Sequence, residues 1–547
     1  MKARTEYRLG WLLLIIVVLA GLGLRWPWPA DEPRFALIAQ EMVNTGHWLI
    51  PHRVGELYPD KPPIFMWAIA VLLWLKVPLK VAFLLPSALA GLATVALTVD
   101  LAKRLFGQDV ATKTLWLLAF TLQLTLQAKT AQIDMLVVFW ITLGTYGLLR
   151  HLLLGPAWSW YFLGFAAAGF GVITKGVGVL ALFALLPLLW RPDLRARLDK
   201  RAWLGPLMLL AAIATWGLPM LWYAAHSANP EAVAYRDNIL FNQTANRYVH
   251  SLGHQAPWYY YIAEVIPAFW LPLSLLAPFM IKRWWQEKQR PEILLPLVMV
   301  VAIVLFFSIS PGKRGVYLTP ATPWLAMAIA PFLGELSQRP WVRRLWLGLM
   351  WLLTALILGA AALPKVYHLA GVMGVLFLAL SGAAMAAVLL LSGKAPLWRR
   401  WGMMMAALWI GYSMLGTMAI GPYRTPIDIM AKVGERMGPD GQLGLVHFKE
   451  QFALFADRPV VQFGYHESNQ QQLATARHWL TEAPNKRYIF GPKETLKGCF
   501  ILSPSEFMGT RHGGDWYLVQ LKQMQPDCAA GVKPGPIYQG PAYGVGH

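Results

Sequence analysis

The stretch Trp26–Pro63, WPWPADEPRFALIAQEMVNTGHWLIPHRVGELYPDKPP, decides how the rest of the chain reads. It follows an uninterrupted apolar segment, Trp11–Leu24, and gathers Asp31, Glu32, Arg34, Asp60 and Lys61. Acidic groups are scarce in so apolar a chain, and a cluster of them beside a membrane segment points to function. Asp31 occupies the position of a helix N-cap, with Pro33 in the first turn. Phe35, Ile38 and Met42 recur at helical spacing, opposite Arg34, Gln40 and Glu41. The pattern predicts a short helix on the membrane surface that presents carboxylates from its positive end. A capped interfacial helix with no further role would carry the same pattern.

The chain has 547 residues, 57% of them hydrophobic. That composition excludes an ordinary soluble domain and indicates a polytopic α-helical membrane protein. The formal net charge of +20 is no sign of nucleic acid, and no such partner is expected. The basic residues fall mostly in short loops between apolar segments, where they set orientation. Lys2, Arg4 and Arg8 lead into the first apolar segment as in a signal peptide, but Arg25-Trp26-Pro27 follows instead of a small-residue cleavage site. The segment therefore reads as a membrane anchor.

Apolar segments long enough to span occur near residues 8–24, 81–102, 114–130, 132–152, 159–174, 176–190, 203–225, 259–281, 291–309, 316–335, 341–362, 367–392 and 400–420. The region 159–190 reads as two short spans or one broken one. A further run, Pro63–Val77, is marginal. If it does not cross, six basic loops, at 103–113, 150–151, 191–201, 282–290, 339–344 and 394–400, share the side of the basic N-terminus. If it crosses, all six face outward, against the positive-inside rule. Pro63–Val77 is therefore predicted to be re-entrant or interfacial, and the chain to have thirteen spans.

This topology sends the informative polar residues to the outer face. Asp134 sits between two spans with almost no loop, so it lies in the headgroup layer or faces a cavity. Lys61, before Pro62-Pro63, and Lys175, alone in an apolar stretch, suit a phosphate. Lys313, Arg314 and Tyr317 add two cations and a phenol between two spans; the bland reading of the cations is headgroup anchoring, but their outer-face position runs against the positive-inside bias and points to function. The patch from Asn242 through Asn246 and Arg247 to Tyr248 suits sugar hydroxyls or phosphate. His254 with Asp60 or Glu32 makes at most a weak metal pair. No Walker or dinucleotide loop and no Ser/His/Asp order stands out.

From Gly421 the chain turns polar. Runs at Leu443–Phe448, Arg487–Phe490, Cys499–Leu502 and Tyr517–Leu521, with a helical stretch Gln470–Thr481, predict a small α/β domain over 421–547. It would follow a transmembrane catalytic domain over 1–420, whose first outer loop covers 25–80. The tail shows no catalytic constellation and is expected only to cap the membrane part. Cys499 and Cys528 permit one disulfide if the tail lies in an oxidising compartment. The Gly/Pro-rich end, Lys533–His547, is predicted to be disordered.

Taken in order, Trp28-Pro-Ala-Asp-Glu-Pro-Arg-Phe, Asp60-Lys-Pro-Pro, Ile133-Asp, Thr174-Lys-Gly, His254-Gln-Ala-Pro-Trp-Tyr-Tyr and Pro311-Gly-Lys-x-x-x-Tyr317 resemble the bacterial aminoarabinose transferases of lipid A. These stand within the protein O-mannosyltransferase-like GT-C superfamily, and the likeness covers roughly the first 340 residues. It implies a GT-C fold with about thirteen transmembrane helices, surface helices in the first outer loop and an outer α/β domain. It further implies a monomer in the bacterial inner membrane with its active site facing the periplasm. The expected reaction is inverting transfer of a sugar from a polyprenyl-phosphate donor such as an undecaprenyl phosphate, most directly 4-amino-4-deoxy-L-arabinose to a lipid A phosphate. Another sugar, or an acceptor in the lipopolysaccharide core or a protein, stays open.

By matching position the resemblance makes Asp31 the principal catalytic acid and Asp134 its partner, with Glu32 beside them. It gives the donor phosphate to Lys61, Arg247, Lys313 and Tyr317, helped by Lys175, and other substrate contacts to Arg34, Asn242 and Asn246. It places a divalent metal, Zn or Mg/Mn, on Asp60 and His254, where the lipid A enzymes carry Glu in place of Asp60. Two other classes fit a polytopic protein with cations facing lipid phosphates: a lipid-sugar flippase, and a ligase using lipid diphosphates. A flippase would place its key groups near the midplane, often within inverted repeats, and neither is visible in the sequence.

Overall fold

The computed structural model describes residues 3–227, 230–240 and 255–543. The chain forms two compact units, each built from segments distant in sequence. One comprises Met1–Leu24, Asp60–Phe65 and Leu84–Ala419; the other comprises Arg25–Pro59, Met66–Phe83 and Ile420–His547. Most of the 25–80 segment therefore groups with the polar tail.

The first unit is helical. Among the described residues eight helices are long and apolar enough to cross a bilayer, or nine if Tyr261–Phe269 and Leu273–Gln286, bent by 113°, make one span. The protein is thus a multi-pass membrane protein. Other expected spans are shorter or broken. Ala3–Leu19 has 17 residues, and the 114–130 run parts at Phe120 into Gln108–Ala119 and Leu122–Ala128. The 159–190 region is two segments: an α-helix, Trp158–Lys175, and a 3-10 helix, Val177–Leu189, that folds back at Gly176 (φ 86°). The return is tight enough to demand glycine, since a Cβ on Gly178 would lie 2.3 Å from the Ala168 carbonyl oxygen. The marginal Pro63–Val77 run contains one helix, Ile64–Trp74, of 11 residues. At 1.5 Å per residue it covers about 16 Å, half of a ~30 Å hydrocarbon core, as the loop charges require.

The second unit is α/β. A hairpin of β1 (His52–Arg53) and β2 (Glu56–Leu57) stands apart from a six-stranded mixed sheet. The sheet contains β3 (Gln442–Leu445), β4 (Val460–Gln462), β5 (Arg487–Pro492), β6 (Phe507–Arg511), β7 (Gly514–Val519) and β8 (Tyr538–Gly540). Its order is β6-β7-β5-β3-β4-β8, with β3 parallel to β4 and β5 and the other pairs antiparallel. The Asn469–Glu482 helix packs Leu473, Trp479 and Leu480 against Val446, Phe463, Ile489 and Val519. The expected strand at Cys499–Leu502 reduces to a single bridge between Phe500 and Met524. Beside it Cys499 is bonded to Cys528, Cα atoms 4.5 Å apart.

Three expectations need correction here. Among the described residues the Gly/Pro-rich end is structured: β8 adds to the edge of β4, and the buried Tyr543 hydroxyl donates to Glu41 at 2.9 Å. The Asp31–Thr45 helix has Ala30, not Asp31, at its N-cap; Asp31 is its first helical residue, and left-handed Gly46 (φ 77°) ends it. Nor does this helix lie with one polar face outward. Glu32 and Glu41 are buried with the apolar side chains, because each has found donors inside the unit.

Candidate active site

In the membrane unit the chemistry-bearing residues arise from helix polarity. The Ile133–Leu154 helix carries Asp134 in its first turn, and Trp158–Lys175 returns beside it and ends on Lys175. An antiparallel pair brings the first turn of one helix to the last turn of the other. Lys175 Nζ accordingly pairs with Asp134 Oδ1, both side chains largely buried. An acid at a helix start and a base at a helix end also suit the two helix dipoles. The same ammonium lies 4.5 Å from the centre of the Tyr317 ring, so Asp134, Lys175 and Tyr317 form one cluster.

Lys313 is four residues before Tyr317, in a loop pinned at three points. Gly312 bridges Gln255, Tyr261 Oη donates to the Arg314 carbonyl at 3.3 Å, and Gln123 Nε2 donates to the Gly315 carbonyl at 2.5 Å. Trp270 Nε1 fixes the other end of the Gln123 amide at 2.7 Å. Lys313 Nζ donates to the Ser310 carbonyl at 2.5 Å, and no carboxylate among the described residues pairs with it. Burial holds its pKa below the usual lysine range. A buried, carbonyl-bound ammonium is prepared for an anion. Lys61 and Asp60 are half-buried in the same unit, where the Tyr235 hydroxyl donates to the Lys61 carbonyl at 3.3 Å.

The other end of the same helices is quite different. Arg150 lies sixteen residues beyond Asp134 on one helix, about 24 Å along its axis, with His151 next to it. There the six basic loops join one another. Arg104 and the Tyr146 hydroxyl donate to Asp100, and Arg150 donates to Tyr146. His151 lies 3.3 Å from the Arg197 carbonyl, and Arg191 donates to the Gln289 carbonyl at 3.0 Å. Arg283 and Arg339 share Glu335, Lys113 lies over Trp398, and Arg399 faces Glu6. The loops that the positive-inside rule grouped are grouped in space.

The second unit holds Asp31. Glu32, expected beside it in catalysis, is instead committed to the backbone's own support. It takes a two-pronged pair from Arg25 (2.5 and 2.7 Å) and the Trp28 N–H at 2.8 Å, all buried. Arg34, expected on substrate, gives its Nε to Glu450 at 2.6 Å. Glu41 accepts from the Val54 and Gly55 N–H groups at 2.7 and 2.8 Å, tying the helix to the β1–β2 turn.

Asn242, Asn246, Arg247 and His254 lie outside the described residues. The metal pair therefore rests on Asp60 alone, and no group of three His, Cys, Asp or Glu side chains among the described residues is placed to hold a metal ion. Four supporting residues escaped the sequence reading: Arg25, Glu450, Gln123 and Lys129. Lys129 donates to the Val17 and Ala20 carbonyls at 2.7 and 2.8 Å, closing the end of the first helix. A cation or amide inside an apolar run was the available signal for Lys129 and Gln123.

Residues 60–222 match the family described as dolichyl-phosphate-mannose-protein mannosyltransferase. The chain is 30% identical over 334 residues to undecaprenyl phosphate-alpha-4-amino-4-deoxy-L-arabinose arabinosyl transferase 1 of Pseudomonas fluorescens, covering 58% of each chain. It is 31% identical over 351 residues to a transferase of the same description from Pseudomonas savastanoi pv. phaseolicola, covering 60% of this chain and 62% of that one. The chain thus spans under two thirds of the length of either relative. Its fold matches that of ArnT from Cupriavidus metallidurans bound to undecaprenyl phosphate, with a TM-score of 0.75 at 20% identity over 96% of this chain and 98% of that one. An oligosaccharyltransferase of Archaeoglobus fulgidus in the apo form matches with a TM-score of 0.52 at 11% identity over 90% of this chain and 70% of that one. The GT-C fold and the likeness to the aminoarabinose transferases are borne out.

Proposed function

We propose that this chain is a membrane glycosyltransferase that moves a sugar, 4-amino-4-deoxy-L-arabinose, from undecaprenyl phosphate to a phosphate of lipid A. The observation that carries the reading is the cluster of Asp134, Lys175 and Tyr317, with buried Lys313 four residues from Tyr317, at the end of the membrane unit away from the basic loops. The transferase relatives and the ArnT fold support it.

The bond between the anomeric carbon and the donor phosphate breaks as an acceptor oxygen attacks from the opposite face, and polyprenyl phosphate departs with the electron pair. Lys313, with Lys61 and Arg247, neutralises the leaving phosphate, the large electrostatic contribution in such a step. Lys175 is already matched by Asp134, so it orients that carboxylate more than it binds phosphate. A lipid A phosphate arrives ionised, and Asp31 then orients it; a hydroxyl acceptor would need Asp31 as a base. A divalent ion on Asp60 and His254 is proposed with them, to be checked by metal analysis of the purified protein. In this reading the end with the basic loops faces the cytoplasm and the cluster faces the periplasm across the inner membrane, which the positive-inside rule supports.

Purified protein is incubated with the undecaprenyl-phosphate aminoarabinose and lipid A. Mass spectrometry is expected to show pentosamine-bearing lipid A and free undecaprenyl phosphate in equal amounts. Donor moved across vesicles with no free undecaprenyl phosphate would replace the reading with a flippase. Single cysteines at 108 and 196, in a background lacking Cys499 and Cys528, are expected to stay protected from an impermeant thiol reagent in spheroplasts; labelling of either overturns the sidedness.

A further inference from the structure

The polar tail gathers cations where the chain leaves the membrane. The last apolar helix, Leu397–Arg424, ends on Arg424. Arg424 Nη2 donates to the Pro29 carbonyl at 3.1 Å, and its guanidinium lies 5.8 Å from the centre of the Trp28 ring. Arg511, at the end of β6, donates from Nε to the carbonyl of the next residue, Thr425, at 3.4 Å. His512 and Gly513 make the two-residue turn from β6 to β7, both left-handed (φ 53° and 80°). The turn brings the His512 ring to 6.0 Å from that of Phe452, whose N–H donates to the Lys449 carbonyl at 3.1 Å. Three segments distant in sequence thus bring Arg424, Lys449, Arg511 and His512 to one place. Partial burial, together with the charges of Arg424, Arg511 and Lys449, holds the His512 pKa below the usual histidine range. Its ring is therefore a neutral hydrogen-bonding group at neutral pH.

The nearby carboxylates do not discharge this patch. Asp428 is taken by Arg511 at 2.7 Å, and Asp515 accepts from the Thr510 hydroxyl at 2.6 Å. Glu450, next to Lys449 in sequence, is buried and takes Arg34 and Arg53 at 2.6 and 3.0 Å. Arg424 and Lys449 are exposed, and no carboxylate among the described residues pairs with either. Two unmatched cations and a neutral imidazole at the end of a membrane helix fit a lipid anion. A phosphate monoester carries about −1.5 to −2 charges at neutral pH, which two cations balance. The diester of an ordinary phospholipid carries a single charge and would leave the patch overcharged. Lipid A has a phosphate monoester at each end of its disaccharide. The phosphate that attacks must keep an oxygen free to react, whereas the other has only to be held. We propose that Arg424, Lys449 and His512 dock the lipid A phosphate that does not receive the sugar. The site rests on lipid A being the acceptor.

The test is steady-state transfer by the full-length protein in nanodiscs of zwitterionic phospholipid, with undecaprenyl-phosphate aminoarabinose and lipid A bearing two phosphates or one. Arg424→Gln with Lys449→Gln is expected to raise KM for bisphosphorylated lipid A about 10–50-fold, with kcat and the donor KM changed less than about threefold. On either single-phosphate form that is still a substrate, the double variant is expected to match wild type within about twofold, because the phosphate it would hold is gone. Equal losses on both kinds of acceptor, or an unchanged KM on the bisphosphorylated one, overturn the inference. Adding anionic phospholipid to the nanodiscs is expected to leave the difference between variant and wild type in place; a difference that vanishes assigns the patch to bilayer headgroups and overturns the inference. If the double variant fails to fold, Lys449→Gln alone is expected to raise KM about fivefold on the bisphosphorylated form only, and no rise overturns the inference. Binding of the same lipids without donor, read by native mass spectrometry, separates the two ideas. Wild type is expected to prefer the bisphosphorylated form and the double variant to lose that preference. Wild type that binds with this preference but transfers no sugar removes the proposed reaction alone, whereas transfer without the preference removes the docking site alone.

Discussion

The two ends of the membrane unit use the same residue types to opposite purposes. At the basic end, Arg283, Glu335 and Arg339 are each roughly 40–50% exposed, and Arg104 and Asp100 are nearly as open. Such pairs lie in high dielectric and lose side-chain entropy, so they add little to stability. At the other end Asp134 and Lys175 are 9% and 13% exposed. Removing one partner of such a pair strands a charge out of water, a cost of about 3–5 kcal/mol. The exposed charges are thus many and weakly paired, while the few buried ones are tightly paired and lie where the transfer chemistry is proposed.

The contrast is broken most sharply by charge removal at both ends. Asp134→Asn is expected to lower kcat by about 10²–10⁴-fold, the range for losing a group that acts in proton or charge handling. Wild-type transfer rates in a folded Asp134→Asn protein would erase the distinction between the ends. Lys313→Ala comes next, with KM for the donor raised about 10–100-fold and KM for lipid A little changed, as for one charge-assisted phosphate contact. An equal change in both KM values would move Lys313 off the donor. In the other unit, Cys499→Ser with Cys528→Ser opens a loop of 29 residues and is expected to lower the stability of the α/β part by about 3–4 kcal/mol on the chain-entropy account. Thermal unfolding followed by tryptophan fluorescence measures it, and an unchanged midpoint would refute it. The smallest effect is expected at the basic end: Glu335→Gln should leave kcat/KM within about twofold and the thermal midpoint essentially unchanged.

Much of this was legible because apolar sequence makes charges conspicuous. Asp134, Lys175 and Lys313 each interrupt long hydrophobic runs, and the loop charges predicted an apolar segment too short to cross where Ile64–Trp74 forms an 11-residue helix. Their pairing was not legible, since Asp134 meets Lys175 only once two helices turn back on each other. The polar stretches hid more. Glu32 looks like a surface acid until Arg25 folds over it, and Glu41 and Glu450 look solvated until Val54, Gly55, Arg34 and Arg53 reach them. The three-residue strands β4 and β8 carry too few positions for an alternating pattern, and the glycines and prolines around β8 read as disorder. In soluble-looking sequence a buried carboxylate and an exposed one are written alike.

Lys129 has a consequence in time. The Val17 and Ala20 carbonyls it binds lie at the end of the Ala3–Leu19 helix, where the last carbonyls have no partner within the helix. Their partner is encoded 112 residues after Val17. At ribosomal speeds of about 5–20 residues per second, the first helix waits roughly 6–22 seconds for its own last turn to be completed. Through that interval the nascent anchor carries two carbonyls whose lysine partner has yet to be made.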